Sequence, residues 1–494
     1  MSDKDLEARH LETLDRDLGR FANLESAAAY VSRPLVAPGI AFVFIILAGL
    51  AAALLLGQSG EALIVVTAAV FGAYMALNIG ANDVANNMGP AVGANALSMG
   101  GAIAIAAVFE SAGALIAGGD VVSTVAKGIV APEALDTPIA FIWAMMAALL
   151  ASALWVNLAT WIGAPVSTTH AVVGGVMGAG IAAAGFGAVN WGQMGAIAAS
   201  WVISPVLGGI VATGFLWFIK SRIIYRDDKI AAARTWVPVL VGIMAGTFAA
   251  YLVMKGLKQL IDVSMGTALL LGVVIGLGCW VLMIPVTRRQ SEGLENRNKS
   301  VKVLFGIPLV VSAALLSFAH GANDVANAVG PLAAIVQTVQ TGSIDGEVAI
   351  PLWVMLIGAF GISVGLCLFG PKLIRMVGSQ ITKLNPMRAY CVALSAAITV
   401  IVASWLGLPV SSTHIAVGAI FGVGFFREWD AERRLKQSRM TIPETEQLTP
   451  DERRRRKLVR RMHVLTIAAA WVVTVPASAI LSAILFLILQ QIPT

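Results

Sequence analysis

Two identical strings place amide and acidic side chains where an apolar helix should still be running: residues 80–86 read GANDVAN, and residues 321–327 read GANDVAN again. An isolated carboxylate at bilayer depth costs roughly 3 kcal/mol on insertion scales, so Asp83 and Asp324 need a partner, and a cation that comes and goes would serve. On a helical turn Asn82 and Asn86 stand four apart and Asp83 and Asn86 three apart, so their oxygens converge on one face; Asn323, Asp324 and Asn327 repeat the arrangement. Hard oxygen ligands with one negative charge suit Na+, or a proton on the carboxylate. The Gly, Ala, Asn and Asp of each string also predict an unwound stretch whose carbonyls become ligands. The plainer alternative is close helix packing with hydrogen bonds across a bundle.

A second pair of strings offers the opposite chemistry. Residues 165–170 read PVSTTH and residues 409–414 read PVSSTH. Proline suits the start of a helix, where its missing N–H is an orphan anyway. Ser167, Thr168 and Thr169, and likewise Ser411, Ser412 and Thr413, then set hydroxyls beside exposed backbone N–H groups at the positive end of a helix dipole. That is an anion site without a cationic side chain. Ordinary N-capping is the competing reading. His170 and His414 close the strings, His320 stands before the second GANDVAN where the first has Ile79, and Glu110 lies inside an apolar run; structural hydrogen bonding competes with proton relay for all four.

These residues must be positioned by a membrane-embedded scaffold. The 494 residues are 58% hydrophobic and 13% charged, about half the charge of a soluble domain, with a mean hydropathy of +0.82. The net charge of +6 comes from basic residues in loops between apolar runs, which speaks for orientation in a bilayer and against a nucleic-acid groove. Cys279, Cys367 and Cys391 lie in apolar runs without metal-ligand spacing. No nucleotide loop and no nucleophile with a suitably spaced base appear, so an enzyme is not expected, nor a cofactor beyond a coupling ion.

Hydropathy divides the chain into a charged amphipathic segment at 1–34, an extra helix at 35–57, a first transmembrane repeat at 62–219, a linker with two spans at 220–302 and a second repeat at 303–489, which includes a basic loop at 427–462. About twelve spans result. Basic residues cluster at 220–234, 288–302 and 427–461, separated by even numbers of spans, so all three share one face; that face, with the amino terminus, is expected to be cytoplasmic. The GANDVAN pair is offset by 241 and the PVS pair by 244, which marks a tandem duplication. Span parity makes the halves antiparallel. The expected fold is therefore an all-α polytopic membrane protein with two inverted-topology repeats and broken helices near the midplane.

The four strings, in this order, resemble the PiT family of inorganic phosphate transporters, whose signature is a GAND-type string and a P-[VI]-S-[ST]-T-H string in each half. The resemblance implies a symporter, a homodimer in a bacterial plasma membrane, that moves inorganic phosphate with a cation. It implies cation or phosphate roles for Asn82, Asp83, Asn86, Asn323, Asp324 and Asn327, with Na+ held by Asn82, Asp83, Asn323 and Asp324. It implies phosphate contacts from Ser167, Thr168, Thr169, Ser411, Ser412 and Thr413. Asn82 is similar to the Na+-coupled branch, because H+-coupled relatives carry His there. An H+-coupled phosphate or sulfate permease of the same fold, or an anion channel, stay open as alternatives.

Overall fold

The structure is a computed structural model that describes residues 35–55, 62–131, 134–135, 137–256, 263–344, 350–380, 384–438 and 461–492. The expected amphipathic helix near the amino terminus and the arginine run at 453–456 lie outside these residues. Helix α1 (Leu35–Leu55) precedes α2 (Ala62–Gly93), α3 (Met99–Ala117), α4 (Pro138–Ile162), α5 (Thr168–Ala184) and α6 (Trp191–Ile219), which runs on into a π-helical turn at Lys220–Ile224. Helices α7 (Lys229–Lys255) and α8 (Met265–Ser291) form the linker hairpin. The second half is α9 (Asn298–Leu304), α10 (Gly306–Asp324), α11 (Ala326–Thr341), α12 (Leu352–Gln380), α13 (Pro386–Trp405), α14 (Ser412–Ser438) and α15 (Arg461–Leu489).

Among the described residues eleven helical stretches are long and apolar enough to cross a bilayer, so lipid replaces water around the protein. Their burial is graded. The α10–α11 stretch is 89% buried across its most apolar window whereas α8 is 17% buried, which puts the second GANDVAN at the centre and the linker hairpin at the rim. At the centre α2 packs against α12, and α10 packs against α3. Both crossings are backbone-close: a Cβ on Gly80 would stand 1.9 Å from the Ile362 carbonyl oxygen, and one on Gly321 2.1 Å from that of Glu110. The leading glycines of the two strings are therefore contact points between helices.

The two PVS strings turn helical hairpins. Residues 161–170 read WIGAPVSTTH and residues 405–414 read WLGLPVSSTH. Gly163 (φ 81°) ends α4 in the left-handed conformation, Pro165 follows, and the Ser167 hydroxyl accepts from the His170 N–H to cap α5. Gly407 (φ 67°), Pro409 and the Ser411 to His414 N–H cap do the same between α13 and α14. The breaks in the helices lie here. The GANDVAN strings, expected to be unwound, stay helical: α2 runs through the first without interruption, and the second is interrupted only at Val325, which keeps right-handed helical angles. A hairpin turn docks on the leading asparagine and aspartate of each string and meets both with hydrogen bonds, so those two groups do not need the string to unwind.

Candidate functional site

Asn82 is the residue that docks the first hairpin. Its Oδ1 accepts from the Val166 N–H at 3.3 Å, and its Nδ2 donates to Thr160 Oγ1 at 3.0 Å and to the Ala164 carbonyl at 3.3 Å. Asn323 holds the second hairpin by the same three bonds, to the Val410 N–H, Ser404 Oγ and the Leu408 carbonyl at 3.3, 2.9 and 3.2 Å. A turn buried in a bilayer would otherwise leave its backbone groups unsatisfied. One short side chain with both a donor and an acceptor answers that need, which is why Asn precedes Asp in each string.

The aspartates meet the hydroxyls of the strings they dock. Thr168 Oγ1 donates to Asp83 Oδ2 at 2.7 Å, and Ser412 Oγ donates to Asp324 Oδ2 at 2.9 Å. Contacts then cross between halves. Thr413 Oγ1 stands 3.3 Å from Asp83 Oδ1 and accepts from Asn86 Nδ2 at 2.8 Å; Asn327 Nδ2 lies 3.2 Å from Thr169 Oγ1 and 3.4 Å from Thr168 Oγ1. Thr169 Oγ1 donates to the Val410 carbonyl at 3.1 Å, and Thr413 faces the Val166 carbonyl at 3.5 Å. The amino-terminal ends of α5 and α14 therefore face one another across the centre. All twelve residues singled out in the four strings are brought into this one cluster, and all are buried. Ser167 and Ser411 sit in it as caps, their hydroxyl oxygens turned to their own helices.

His320 occupies the middle. Its Nε2 lies 2.9 Å from Asp324 Oδ2 and 3.8 Å from Asp83 Oδ2, while Nδ1 lies 3.3 Å from Glu110 Oε2. Glu110 Oε1 in turn accepts from Asn87 Nδ2 at 2.8 Å. One donor atom from each of Asp83, His320 and Asp324 falls within 4.8 Å of the others, a geometry able to hold a cation. Two like charges that close repel by about 3 kcal/mol even at an effective dielectric near 20, so a positive charge between them is strongly favoured. Sequence reasoning put His320 and Glu110 below the paired strings and passed over Asn87. The available signal was asymmetry: these polar residues stand where the repeat offers Ile79 and Ala328, or where an apolar run should continue. Thr160 and Ser404 were missed as well, although each lies three residues before a turn glycine and recurs at the 244 offset. His170 and His414 pack edge to face at 4.3 Å beside Trp201, behind the caps.

A profile of a phosphate transporter family matches residues 79–482, which spans both hairpins and both GANDVAN strings. A Helicobacter pylori protein (strain J99) provisionally named phosphate permease is 46% identical and aligns with 96% of this chain and 98% of its own length. The chloroplastic inorganic phosphate transporter 2-1 of Arabidopsis thaliana is 36% identical, over 84% of this chain and 70% of its own length. Among solved structures, one titled the sodium-dependent phosphate transporter superposes with a TM-score of 0.77 at 34% identity, over 87% of this chain and all of that one. With its paired strings, docked hairpins and central aspartates, the chain belongs to the phosphate transporter family.

Proposed function

We propose that this membrane transporter imports inorganic phosphate by symport with Na+ through alternating access. One observation carries the reading. Three carboxylates, Asp83, Asp324 and Glu110, are buried around a single imidazole, so even a protonated His320 leaves the centre short of positive charge. Burying unpaired charge is costly, and each Na+ supplied from outside reduces the deficit. The similarity to a structure titled as sodium-dependent supports the same ion.

In this reading Asp83 and Asp324 hold Na+, and Asn82 and Asn323 add the second lone pair that the hairpin amide leaves on each Oδ1. Phosphate sits between the amino-terminal ends of α5 and α14. Thr168, Thr169, Ser412 and Thr413 turn from their present acceptors toward it, Asn86 and Asn327 flank it, and the caps Ser167 and Ser411 keep the first-turn N–H groups aimed at it. The cations offset the anion's charge. Because these side chains are buried, a substrate reaches them only when a hairpin moves relative to the helix that docks it. The repeats at 62–219 and 303–489 are the units that exchange, joined by 220–302. Contacts from the first basic loop to the other two support one shared face, read as cytoplasmic: Lys220 reaches Asp430, the Lys229 backbone N–H donates to Asn296 Oδ1, and Arg234 reaches Ser291. A homodimer in a bacterial plasma membrane rests on the family resemblance.

The test is uptake of radiolabelled phosphate into proteoliposomes. An inward Na+ gradient should drive accumulation above equilibrium, and replacement of Na+ by K+ should remove it. Uptake that ignores Na+ and follows a pH gradient would instead support H+ coupling, which His320 among three carboxylates favours as the second reading. Flux that never exceeds equilibrium would make the protein a channel, and competition by sulfate would widen its substrate class.

A further inference from the structure

Away from the centre, at the end of the molecule where the basic loops gather, a cavity of about 200 Å³ is lined by four cationic side chains from four elements. Lys220 comes from the π-helical turn after α6, Lys302 from α9, Arg388 from the first turn of α13 and Arg427 from α14. Lys220 is paired with Asp430 at 2.6 Å, and Glu428 follows Arg427 in the chain, but neither acid lines the cavity. Asn385, the cap of α13, also lines it. Its Oδ1 accepts from the Arg388 N–H at 3.0 Å, while its Nδ2 is buried with no hydrogen-bond partner among the described residues. A buried donor left in that state costs about 1–3 kcal/mol, which a ligand acceptor would recover.

Beside the apolar Leu216, Ile224 and Met387, the polar lining of the cavity points to one guest. Four cations, an unused amide donor and the start of a 20-residue helix all favour an anion. Guanidinium forks match tetrahedral oxyanions in particular. The volume equals that of about seven waters at about 30 Å³ each, enough for a phosphate group with some of its hydration. The cavity is separate from the central cluster, because α13 carries it at its first turn and ends about 30 Å away at the second hairpin turn. It is also one-sided. At the 244 offset the first half has Ala144 and Ala183 where the second has Arg388 and Arg427.

We infer that this cavity binds a phosphate-bearing anion, either inorganic phosphate or the headgroup of an anionic phospholipid, and that the bound anion fastens α13 and α14, the arms of the second hairpin, to α6 and α9. The inference does not depend on which ion couples transport. Two measurements on the purified full-length protein test it and tell the two sources apart: phosphatidylglycerol retained per chain, by native mass spectrometry, and radiolabelled inorganic phosphate bound per chain at equilibrium in neutral detergent. If a lipid headgroup is the ligand, R388Q/R427Q lowers retained phosphatidylglycerol by roughly tenfold or more and leaves phosphate binding unchanged, at about 1 kcal/mol per basic residue. If free phosphate is the ligand, the wild type binds one phosphate that the double variant lacks, a phosphate that D83N keeps, and lipid retention is equal. R388K/R427K, with its charge intact, should hold more of either ligand than the glutamine pair. Should the glutamine pair fail to fold, displacement of retained phosphatidylglycerol from wild-type protein by glycerol phosphate reads the same site. Equal lipid retention and equal phosphate binding in wild type and R388Q/R427Q overturns the inference, as does wild-type protein whose lipid is not displaced and whose bound phosphate is all lost in D83N.

Discussion

The two halves of the molecule hold their hairpins identically and their charges differently. Asn82 and Asn323 make the same three bonds to equivalent turn residues, and Asp83 and Asp324 accept from equivalent hydroxyls. Around that frame the repeat is broken. The glycine contacts align Ile362 with Glu110, and the 241 offset aligns Ile79 with His320 and Ala328 with Asn87. One interface between halves therefore carries buried isoleucines at these positions and the other a buried Asn–Glu–His chain that ends on both aspartates. The frame is encoded twice because two hairpins must dock in the same way, while the charge that balances the aspartates is encoded once because they share one centre. Damage to the frame should act alike in both halves, and damage to the charge should not.

The largest effect tests the shared centre. D83N and D324N should each reduce Na+-driven phosphate uptake by about 100-fold, equivalent to about 3 kcal/mol, with membrane content unchanged in a quantitative blot. A mild effect from one alone would mean that the aspartates do not act as a pair.

Next comes the broken symmetry. E110Q or H320Q removes one partner of a buried charged group and should cost about 3–5 kcal/mol of stability, whereas I79V or I362V at the matching positions should cost about 0.5–1.5. Thermal unfolding in detergent, followed by intrinsic fluorescence, measures the contrast. Similar losses on both sides would show that His320 and Glu110 are held as ordinary packing groups.

A smaller and symmetric effect is expected from the docking amides. N82A and N323A each leave a buried backbone N–H, of Val166 or Val410, without its acceptor, at about 1–3 kcal/mol. Unfolding midpoints should fall by similar amounts; a twofold disparity would break the equivalence of the hairpins.

The smallest effect lies at the basic face, where α14 of the second half meets the end of α6. Asp430 pairs with Lys220 and with the Tyr225 hydroxyl. Burial pushes the Asp430 carboxyl up, but hydrogen bonds from Lys220 and Tyr225 and the nearby charges of Lys220 and Arg434 outweigh it and hold the group below its ordinary range. A lowered carboxyl stabilises the fold fully above its ordinary value, near 4, and loses that contribution as pH falls through the lowered one. D430N should therefore cost at most about 1 kcal/mol at neutral pH, less in high salt, and the difference from wild type should vanish in acid. An undiminished difference at pH 3 would show that the site acts through packing.

Much of this was legible in the chain itself because both repeats preserve the strings. Polar residues at a fixed offset inside apolar runs marked the centre, and proline before serine marked the starts of two helices, since those constraints are local. The unwinding expected at GANDVAN failed for a non-local reason: residues of the two hairpins, 78 to 87 positions along the chain, satisfy Asn82 and Asn323 without it. For Ser167 the chain left two readings open, a phosphate contact and an N-cap, and the placement of α5 shows the cap on the His170 N–H.

Composition, periodicity and duplication by themselves determined that the chain is a membrane protein of two related halves with acids at their centre, because lipid forbids such residues without a partner. Only the tertiary structure decided who the partners are. Thr413 reaches Asp83 from 330 positions away and Asn327 reaches Thr169 from 158 away. Such pairings depend on how helices cross. The placement of His320 between both aspartates and Glu110 follows from the backbone contact at Gly321, which no local pattern in the chain encodes.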